Sequence, residues 1–215
     1  MLYFSVEWSK ISVWLLIAAA GFVLLALLLF ALLWMYNRYK KQKGIAGERR
    51  VAKVLHRFAR KRHAVLMNSL YLPLYDGCTE IDHLLCGSFG VVVVETKNVG
   101  GTISGSGEYL TQQLGSKTHK LRHPQKQNET HIRNVEHHLH KAGLGDVPVH
   151  GFVVFANPNI VLKTKAGLTL PQLESALQKL PKGRCDRKKI ERALRTVKVR
   201  SPFRKLFHDL ELSRR

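Results

Sequence analysis

From Thr79 to Asn98 the sequence reads T-E-I-D-H-L-L-C-G-S-F-G-V-V-V-V-E-T-K-N. Two apolar runs flank a short segment that contains Gly87 and Gly90, a pattern typical of two β-strands joined by a tight turn. The second run consists of four consecutive valines and is therefore apolar on both faces of a strand. This predicts a strand that is buried on both sides, within a sheet that has layers above and below it.

Three ionisable side chains lie on this hairpin: Asp82, Glu95 and Lys97. A turn centred between Ser88 and Phe89 places Asp82 opposite Glu95, and the two-residue period of a strand puts Lys97 on the same face. Paired carboxylates suit a hard cation such as Mg²⁺, and a lysine beside them can orient a water molecule. The alternative is a surface hairpin with a Glu–Lys pair. The valines favour the site, because ionised groups on a buried strand are costly without a metal or partner.

Residues 13–36 carry no charge and predict a transmembrane helix, with Trp14, Trp34 and Tyr36 near its ends. A cleavable signal peptide is the alternative, but its apolar region would be shorter and would follow basic residues. Here the basic residues come afterwards, beginning with segment 37–43. The positive-inside rule therefore predicts a single-pass protein of the cell (inner) membrane, with residues 1–12 outside and the rest in the cytoplasm.

The chain has 35 Lys and Arg residues against 15 Asp and Glu, a formal charge of +20. Because Glu7 and Lys10 cancel, the whole excess follows Tyr36. Nucleic acid and the anionic inner leaflet are the two partners that this charge predicts, and Lys and Arg density alone does not separate them. The cysteines are Cys78, Cys86 and Cys185. Their odd number and their spacing indicate neither disulfides nor zinc, as expected in a reducing cytosol.

Residues 44–58, G-I-A-G-E-R-R-V-A-K-V-L-H-R-F, predict a helix whose apolar face includes Val51 and Leu55. Glu48 lies on that apolar face, and an inward-pointing acid is a candidate site residue. The alternative is a glutamate in the first turn of the helix, stabilised by the helix dipole. Spacing alone leaves both interpretations open.

The next helix begins at Pro124 and has an apolar stripe beside a polar one. The polar stripe consists of Gln127, His131, Asn134 and His138. Side chains at this spacing share one face, so the stripe could line a groove. We do not expect zinc, because no cysteine or carboxylate lies at ligand spacing from the histidines of this helix, which we expect to be partly exposed.

The glycine-rich segment 100–107 has no Walker lysine and no helix directly after it, so we interpret it as a hairpin connection rather than a phosphate loop. A strand at 150–156 and two short helices follow, the second capped by Asp186. The amphipathic tail from Pro202 is expected to pack on the domain, with a partner or the membrane surface as alternatives. The order of elements predicts an α/β fold, a mixed sheet flanked by helices.

Four blocks of sequence, taken together and in order, resemble the nuclease-related domain (NERD) family. They are G-I-A-G-E at 44–48, T-E-I-D-H at 79–83, V-V-V-V-E-T-K-N at 91–98 and P-Q-K-Q-N-E-T-H at 124–131. The resemblance covers about residues 44–162 and implies a restriction-endonuclease-like PD-(D/E)xK fold, although Ile81 stands where the wider superfamily has proline. The organisation we expect is therefore a nuclease-related domain at 44–165 and a basic C-terminal helical extension at 166–215.

The resemblance also implies roles for individual residues. Asp82, Glu95 and the Thr96 carbonyl would hold Mg²⁺ or Mn²⁺, and Lys97 would be the catalytic lysine. Glu48 would be the helix-borne acid and Gln127 the trailing polar residue of the site. The implied activity is metal-assisted hydrolysis of phosphodiester bonds, with DNA as the expected substrate. Two alternatives stay open: a non-catalytic nucleic-acid-binding module, and a basic membrane-associated regulatory protein.

Overall fold

The computed structural model describes residues 8–74 and 77–199, and the side chains of residues 14–39, 42–74 and 77–199. The chain divides into two compact units, Met1–Lys43 and Gly44–Arg215. The turn at Asp76 and the amphipathic tail from Pro202 lie outside the described residues, as does most of segment 1–12.

Helix α1 spans Trp8–Arg62, so it begins in the first unit and ends in the second. In the first unit, the side chains of residues 14–39 are all exposed, although most of them are apolar. Within the described part of the chain, one helix has the length and composition of a membrane span. It covers Trp14–Arg62, and its most apolar 18-residue window has a mean hydropathy of 3.0 and no buried residue.

The second unit contains nine strands and three further helices among the described residues. They are β1 Val65–Leu74, β2 Gly77–Gly87, β3 Gly90–Lys97, β4 Gly101–Ser104, β5 Tyr109–Leu114, β6 Lys117–Arg122, α2 Pro124–Lys141, β7 Val149–Phe155, β8 Ile160–Lys163, β9 Leu168–Thr169, α3 Leu170–Gln178 and α4 Arg187–Val197. Two mixed sheets result. The first has the order β1-β2-β3-β7-β9 and the second β6-β5-β4-β8.

The hairpin of β2 and β3 has the predicted register. Gly87 pairs with Gly90, so the turn is centred between Ser88 and Phe89. Gly90 has a φ of +98°, and a Cβ atom at this position would lie 2.2 Å from the carbonyl oxygen of Pro148. Only glycine fits both the left-handed backbone and this close approach, which explains why a glycine stands at this end of the turn.

Strand β3 lies at the centre of the first sheet and is covered on both faces. Val92 and Val94 pack in a cluster with residues of α1 and α3. Val91 and Val93 pack in a second cluster with residues of α2 and α4. All four valines have no exposed surface, which confirms the predicted strand buried on both sides. The first sheet and its helices therefore form three layers.

The second sheet packs one face against the first. Ile103 of β4 and Leu110 of β5 form a buried cluster with Val153 and Phe155 of β7. The sequence predicted one mixed sheet flanked by helices. The mixed α/β class is confirmed, but the structure has a second sheet that was not predicted. Its strands are short and largely exposed, which leaves only a weak apolar period in the sequence.

The glycine-rich segment 100–107 differs from its prediction for a physical reason. It contains the strand β4 as well as part of the turn that leads to β5. Gly101 has a φ of +82°, and a Cβ atom there would lie 2.2 Å from the carbonyl oxygen of Gln113 on β5. The glycine therefore allows two strands to approach closely, and the segment is more than a connection.

One smaller prediction is confirmed. The Asp186 carboxylate accepts hydrogen bonds from the backbone N–H groups of Lys188 and Lys189 at 2.9 and 3.2 Å, so it caps α4. Of the three cysteines, Cys78 and Cys86 are buried and Cys185 is half-buried.

Candidate active site

The site lies where the pairing of β1 and β2 becomes irregular. Ser69 of β1 has a φ of +48°. The register of the two strands places Ser69 opposite Asp82, but these two residues do not pair. Ile81 and Leu84 are three residues apart, yet both belong to the cluster beneath α2 and α4. The two-residue alternation is therefore broken between them. Irregularities of this kind re-aim side chains and are common beside active sites.

A hydrogen bond, not strand pairing, holds the side chain of Asp82 in place. The ladder between β2 and β3 ends with His83 opposite Val94, so its register continues to Asp82 opposite Glu95, but no ladder pair forms there. Instead the backbone N–H of Thr96 donates to Asp82 Oδ2 at 2.8 Å. This hydrogen bond fixes the Asp82 carboxylate beside the carboxyl end of β3.

Glu95 and Lys97 share a face, as the strand period predicts. Glu95 is 2 % exposed, and its Oε1 lies 2.7 Å from Lys97 Nζ. Lys97 Nζ also donates to Gln127 Oε1 at 2.9 Å. Since Gln127 comes from the first two turns of α2, the helix and the central strand meet at the ammonium group of Lys97. The structure thus brings together three of the predicted residues.

His131 occupies the other side of Glu95. Its Nε2 lies 3.3 Å from Glu95 Oε2, and its Nδ1 lies 3.2 Å from the hydroxyl of Thr79. His131 is 3 % exposed, so the expectation of a partly exposed histidine is wrong at this position. The reason is that α2 packs against β3 and β7 through a face that contains His131 together with the buried Val135 and Leu139. The four-residue spacing between Gln127 and His131 indicated that the two side chains share a face of the helix. It did not indicate which strand that face meets.

Some buried polar atoms of the site have no hydrogen-bond partner among the described residues. They include Glu95 Oε2, whose approach to His131 does not have the geometry of a hydrogen bond, and Thr96 Oγ1. Buried polar atoms without partners are rare in folded proteins and call for an explanation. For a carboxylate oxygen of Glu95, which lies beside a second acid, Asp82, a bound cation is such an explanation.

Glu48 lies in the interior of α1, not in its first turn, because the helix begins at Trp8. The alternative of a first-turn glutamate is therefore wrong. Burial raises the pKa of Glu48 from its ordinary value, and the negative charges of Glu80 and Glu95 raise this pKa further. Glu48 is thus within electrostatic reach of the hairpin carboxylates.

Glu80 is an acid of the site that was not predicted from the sequence. It belongs to the T-E-I-D-H block, and its Oε2 accepts a hydrogen bond of 2.8 Å from the hydroxyl of Tyr71. Its position two residues before Asp82 was the signal, since residues at this spacing share a face of a regular strand.

The two central carboxyl groups have opposite pKa shifts. Burial raises the pKa of Asp82 well above its ordinary value, and the charge of Glu95 adds to this, while the Thr96 N–H opposes it. Burial would also raise the pKa of Glu95, but the contacts with His131 and Lys97 outweigh it and hold this pKa below its ordinary value. Neighbouring acids with separated pKa values are typical of catalytic sites.

The raised pKa of Asp82 predicts a pH-dependent cost to stability in the absence of metal. The folded state favours the protonated carboxyl group, so ionising Asp82 destabilises the fold as the pH rises through the folded-state pKa. Asp82→Asn should therefore raise the melting temperature near pH 8 in EDTA, and this gain should vanish below about pH 3.8, the ordinary pKa that the carboxyl group has in the unfolded chain. Melting curves across this pH range measure the effect. Asp146→Asn, at an exposed carboxylate, is the control, and an equal gain there would contradict the prediction.

The chain belongs to the nuclease-related domain (NERD) family, which is part of the restriction-endonuclease-like superfamily. The match covers residues 43–156, more than half of the chain, and includes all four blocks that carried the resemblance. Over 98 residues the chain is also 39% identical to an uncharacterized protein of Bacillus anthracis. That match covers 45% of this chain and 46% of the relative, so the chain spans less than half of the relative's length. No solved structure matches the chain.

Proposed function

We propose that the protein is a membrane-anchored, divalent-metal-dependent nuclease that hydrolyses phosphodiester bonds of DNA on the cytoplasmic face. Membership of the family implies a nuclease-like function and a nucleic-acid substrate in general. One observation carries the finer proposal. The buried carboxylate of Glu95 lies between Lys97 and His131, beside a second carboxylate, Asp82, that burial and charge make costly to ionise.

Asp82, Glu95 and the Thr96 carbonyl would hold Mg²⁺ or Mn²⁺. The donor set fits such an ion, because a cation would offset the repulsion between the two carboxylates and satisfy Glu95 Oε2. Among the residues that the structure describes, no group of three or more His, Cys, Asp or Glu side chains is arranged to hold a metal. Mg²⁺ is commonly bound through one or two carboxylates, with waters and substrate phosphates as its other ligands.

The ion would supply a bound water of lowered pKa and stabilise the charge that develops on the phosphate. The residues of the chain would position the reactants. Lys97 has three N–H donors, of which Glu95 and Gln127 engage two, so the third is available to a water or a phosphate oxygen. Glu48 has a raised pKa and is therefore a better proton acceptor than an ordinary carboxylate.

A second candidate function is a nucleic-acid-binding module that does not cut. The observation in its favour is that Lys97 is already engaged by Glu95 and Gln127, as a lysine with a purely structural role would be.

Cleavage assays separate the two functions. The full chain in neutral nanodiscs would be incubated at low salt with supercoiled DNA, linear DNA and RNA, in Mg²⁺, Mn²⁺ or EDTA. We expect cleavage of DNA with either metal, none in EDTA, and a loss of cleavage in Glu95→Gln. Asp146→Asn removes an exposed carboxylate outside the site and should keep full activity.

No metal-dependent cleavage of any substrate by the wild-type protein would contradict the nuclease. Binding of nucleic acid that survives Glu95→Gln, in a protein that never cuts, would support the binding module instead. An equal loss of cleavage in Glu95→Gln and Asp146→Asn would show that the effect does not arise at the site.

The membrane anchor is proposed from the exposed apolar surface of α1. Apolar surface costs roughly 25 cal/mol per Å² in water, so a helix exposed along residues 14–39 is unfavourable unless hydrocarbon surrounds it. We expect the chain to remain in the membrane fraction after carbonate extraction. In intact cells a membrane-impermeant thiol reagent should label Ser5→Cys and not Gly107→Cys. Release by carbonate, or labelling of Gly107→Cys alone, would contradict the anchor or its orientation.

A further inference from the structure

The second sheet has an outer face to which the proposed reaction assigns no role. Ile103 and Leu110 point into the core, so the residues next to them on each strand point outward. Residues that are paired across neighbouring strands lie on the same face, so the outward residues of all four strands form one surface. We call this surface the polar face. Its residues are Thr102, Ser104, Tyr109, Thr111, Gln113, Thr118, Lys120, Arg122, Val161 and Lys163. All of them are exposed or half-buried, and the set contains three cations and no carboxylate.

The cations of the polar face are spaced along rows that cross the strands. Lys120 pairs with Thr111, Thr111 with Ser104, and Ser104 with Lys163, so a single row joins the two edge strands. At about 4.8 Å between strands, this row is about 14 Å long. Within the described part of the chain, no carboxylate pairs with these lysines or with Arg122. Their charges are therefore available to a ligand.

A row of hydroxyl groups between cations matches the chemistry of a sugar–phosphate backbone. Phosphate oxygens accept hydrogen bonds from Lys, Arg, Ser, Thr, Gln and Tyr side chains, all of which are present on this face. One nucleic-acid strand carries a phosphate about every 3.4 Å along the helix axis, so the row spans several phosphates. An anionic membrane surface fits less well, because amphipathic surfaces that bind membranes have large apolar side chains beside their cations, and here Val161 is the only aliphatic residue.

The ends of the second sheet are connected to the candidate active site. Strand β4 begins four residues after Lys97, and β6 ends five residues before Gln127. Four residues span at most about 14 Å. Two hydrogen bonds strengthen these connections: Gln112 Nε2 donates to Gly100 O at 2.8 Å, and Gln125 Nε2 donates to Lys165 O at 3.2 Å. A polymer bound beside Lys97 is therefore within reach of the polar face.

We propose that the polar face binds the sugar–phosphate backbone of the nucleic acid and positions it beside the candidate active site. This rests on the proposed function only in that the ligand is a nucleic acid; it does not require the site to cut. The face supplies sequence-independent affinity through its cations, and the hydroxyl and amide groups between them fix the register of the backbone.

Binding in EDTA tests the proposal without catalysis. The full chain in neutral nanodiscs would be titrated with a fluorescent DNA duplex at several salt concentrations. The test variant is Lys120→Gln, Arg122→Gln and Lys163→Gln combined. The matched control removes the same charge from the exposed face of α4, through Lys188→Gln, Lys189→Gln and Arg192→Gln. Each lost phosphate contact lowers the slope of log affinity against log salt by about 0.9. For the test variant we expect the magnitude of this slope to fall by about 2 to 3 and the affinity to fall at least roughly tenfold. The control variant should show far smaller changes in both.

Equal losses in the two variants would overturn the proposal, because binding would then follow total charge. A test variant that binds DNA normally but binds less to nanodiscs with anionic lipid would also overturn it, in favour of a membrane contact. If the combined variant does not fold, Lys120→Gln and Lys163→Gln alone should each lower the slope by about 0.9, and unchanged slopes would overturn the proposal. Failure of the proposed function is distinguishable, because a wild-type protein that binds but never cuts leaves this binding result intact.

Discussion

Replacing Lys97 by Met is expected to lower the rate of metal-dependent cleavage about 10²- to 10⁴-fold, the usual contribution of a group that moves or positions a reacting proton. Methionine matches the unbranched lysine side chain as far as Cε and lacks the ammonium group that lies between Glu95 and Gln127. Binding of nucleic acid in EDTA should change little, because one of many cations is lost. Single-turnover cleavage and duplex titration measure the two effects separately.

The same variant should shift the pH dependence of any residual activity. Lys97 is one of the two groups that hold the pKa of Glu95 below its ordinary value, so this pKa should rise when Lys97 is removed. In the proposed reaction the ionised carboxylate holds the metal, so the acidic limb of the rate profile should move to higher pH. Lys179→Met, at an exposed lysine of the same unit, should alter neither rate nor profile. A wild-type rate in Lys97→Met would remove Lys97 from the reaction.

Replacing Phe89 by Ala is expected to lower the free energy of unfolding by about 3–5 kcal/mol, the usual cost of deleting a buried aromatic ring. Phe89 lies in the turn of the central hairpin, has no exposed surface, and packs against Phe58 of α1 with ring centroids 5.7 Å apart. The deletion should leave a cavity between the sheet and the helix that carries Glu48. Chemical denaturation of the full chain, followed by a probe within residues 44–199, measures the loss.

Tyr109→Ala is the matched control for Phe89→Ala, since Tyr109 is 52% exposed. Its removal should change the stability by no more than about 0.5 kcal/mol. A loss below about 1 kcal/mol in Phe89→Ala would show that the turn is not held by this ring. Because the turn also sets the register of β2 against β3, a partly folded Phe89→Ala protein should lose metal-dependent cleavage before it loses helix content.

The sequence was most informative where a segment had to satisfy two constraints at once. The four valines at 91–94 are apolar on both faces, and this predicted a central strand without knowledge of its neighbours. The hairpin register followed from the glycines, because Gly90 occupies a backbone conformation that other residues rarely adopt. Lys97 and Glu95 were then placed on one face by the period of a strand. These predictions depended on local geometry, which adjacent residues determine.

Other features depended on contacts between distant segments and were not predictable in the same way. The contact between His131 and Glu95 requires that the part of α2 carrying His131 pack onto β3, and the sequence shows the polar stripe but not the strand that His131 meets. The second sheet has four short strands, one of which, β8, follows β7 and pairs with β4 about sixty residues earlier in the chain. Exposed strands with cationic side chains have little apolar periodicity, so their pairing leaves a weak signal.

The position of β3 between β2 and β7 has a consequence for local stability. Amide protons of a strand that is paired on both sides and covered by helices exchange with solvent only in the most complete unfolding events, whereas short and exposed strands open far more readily. The carboxylate of Glu95 is therefore carried by the part of the fold that opens least, while β5 and β6 can open locally and close again without disturbing it. Deuterium incorporation should accordingly be slowest at residues 91–94 and much faster along β6.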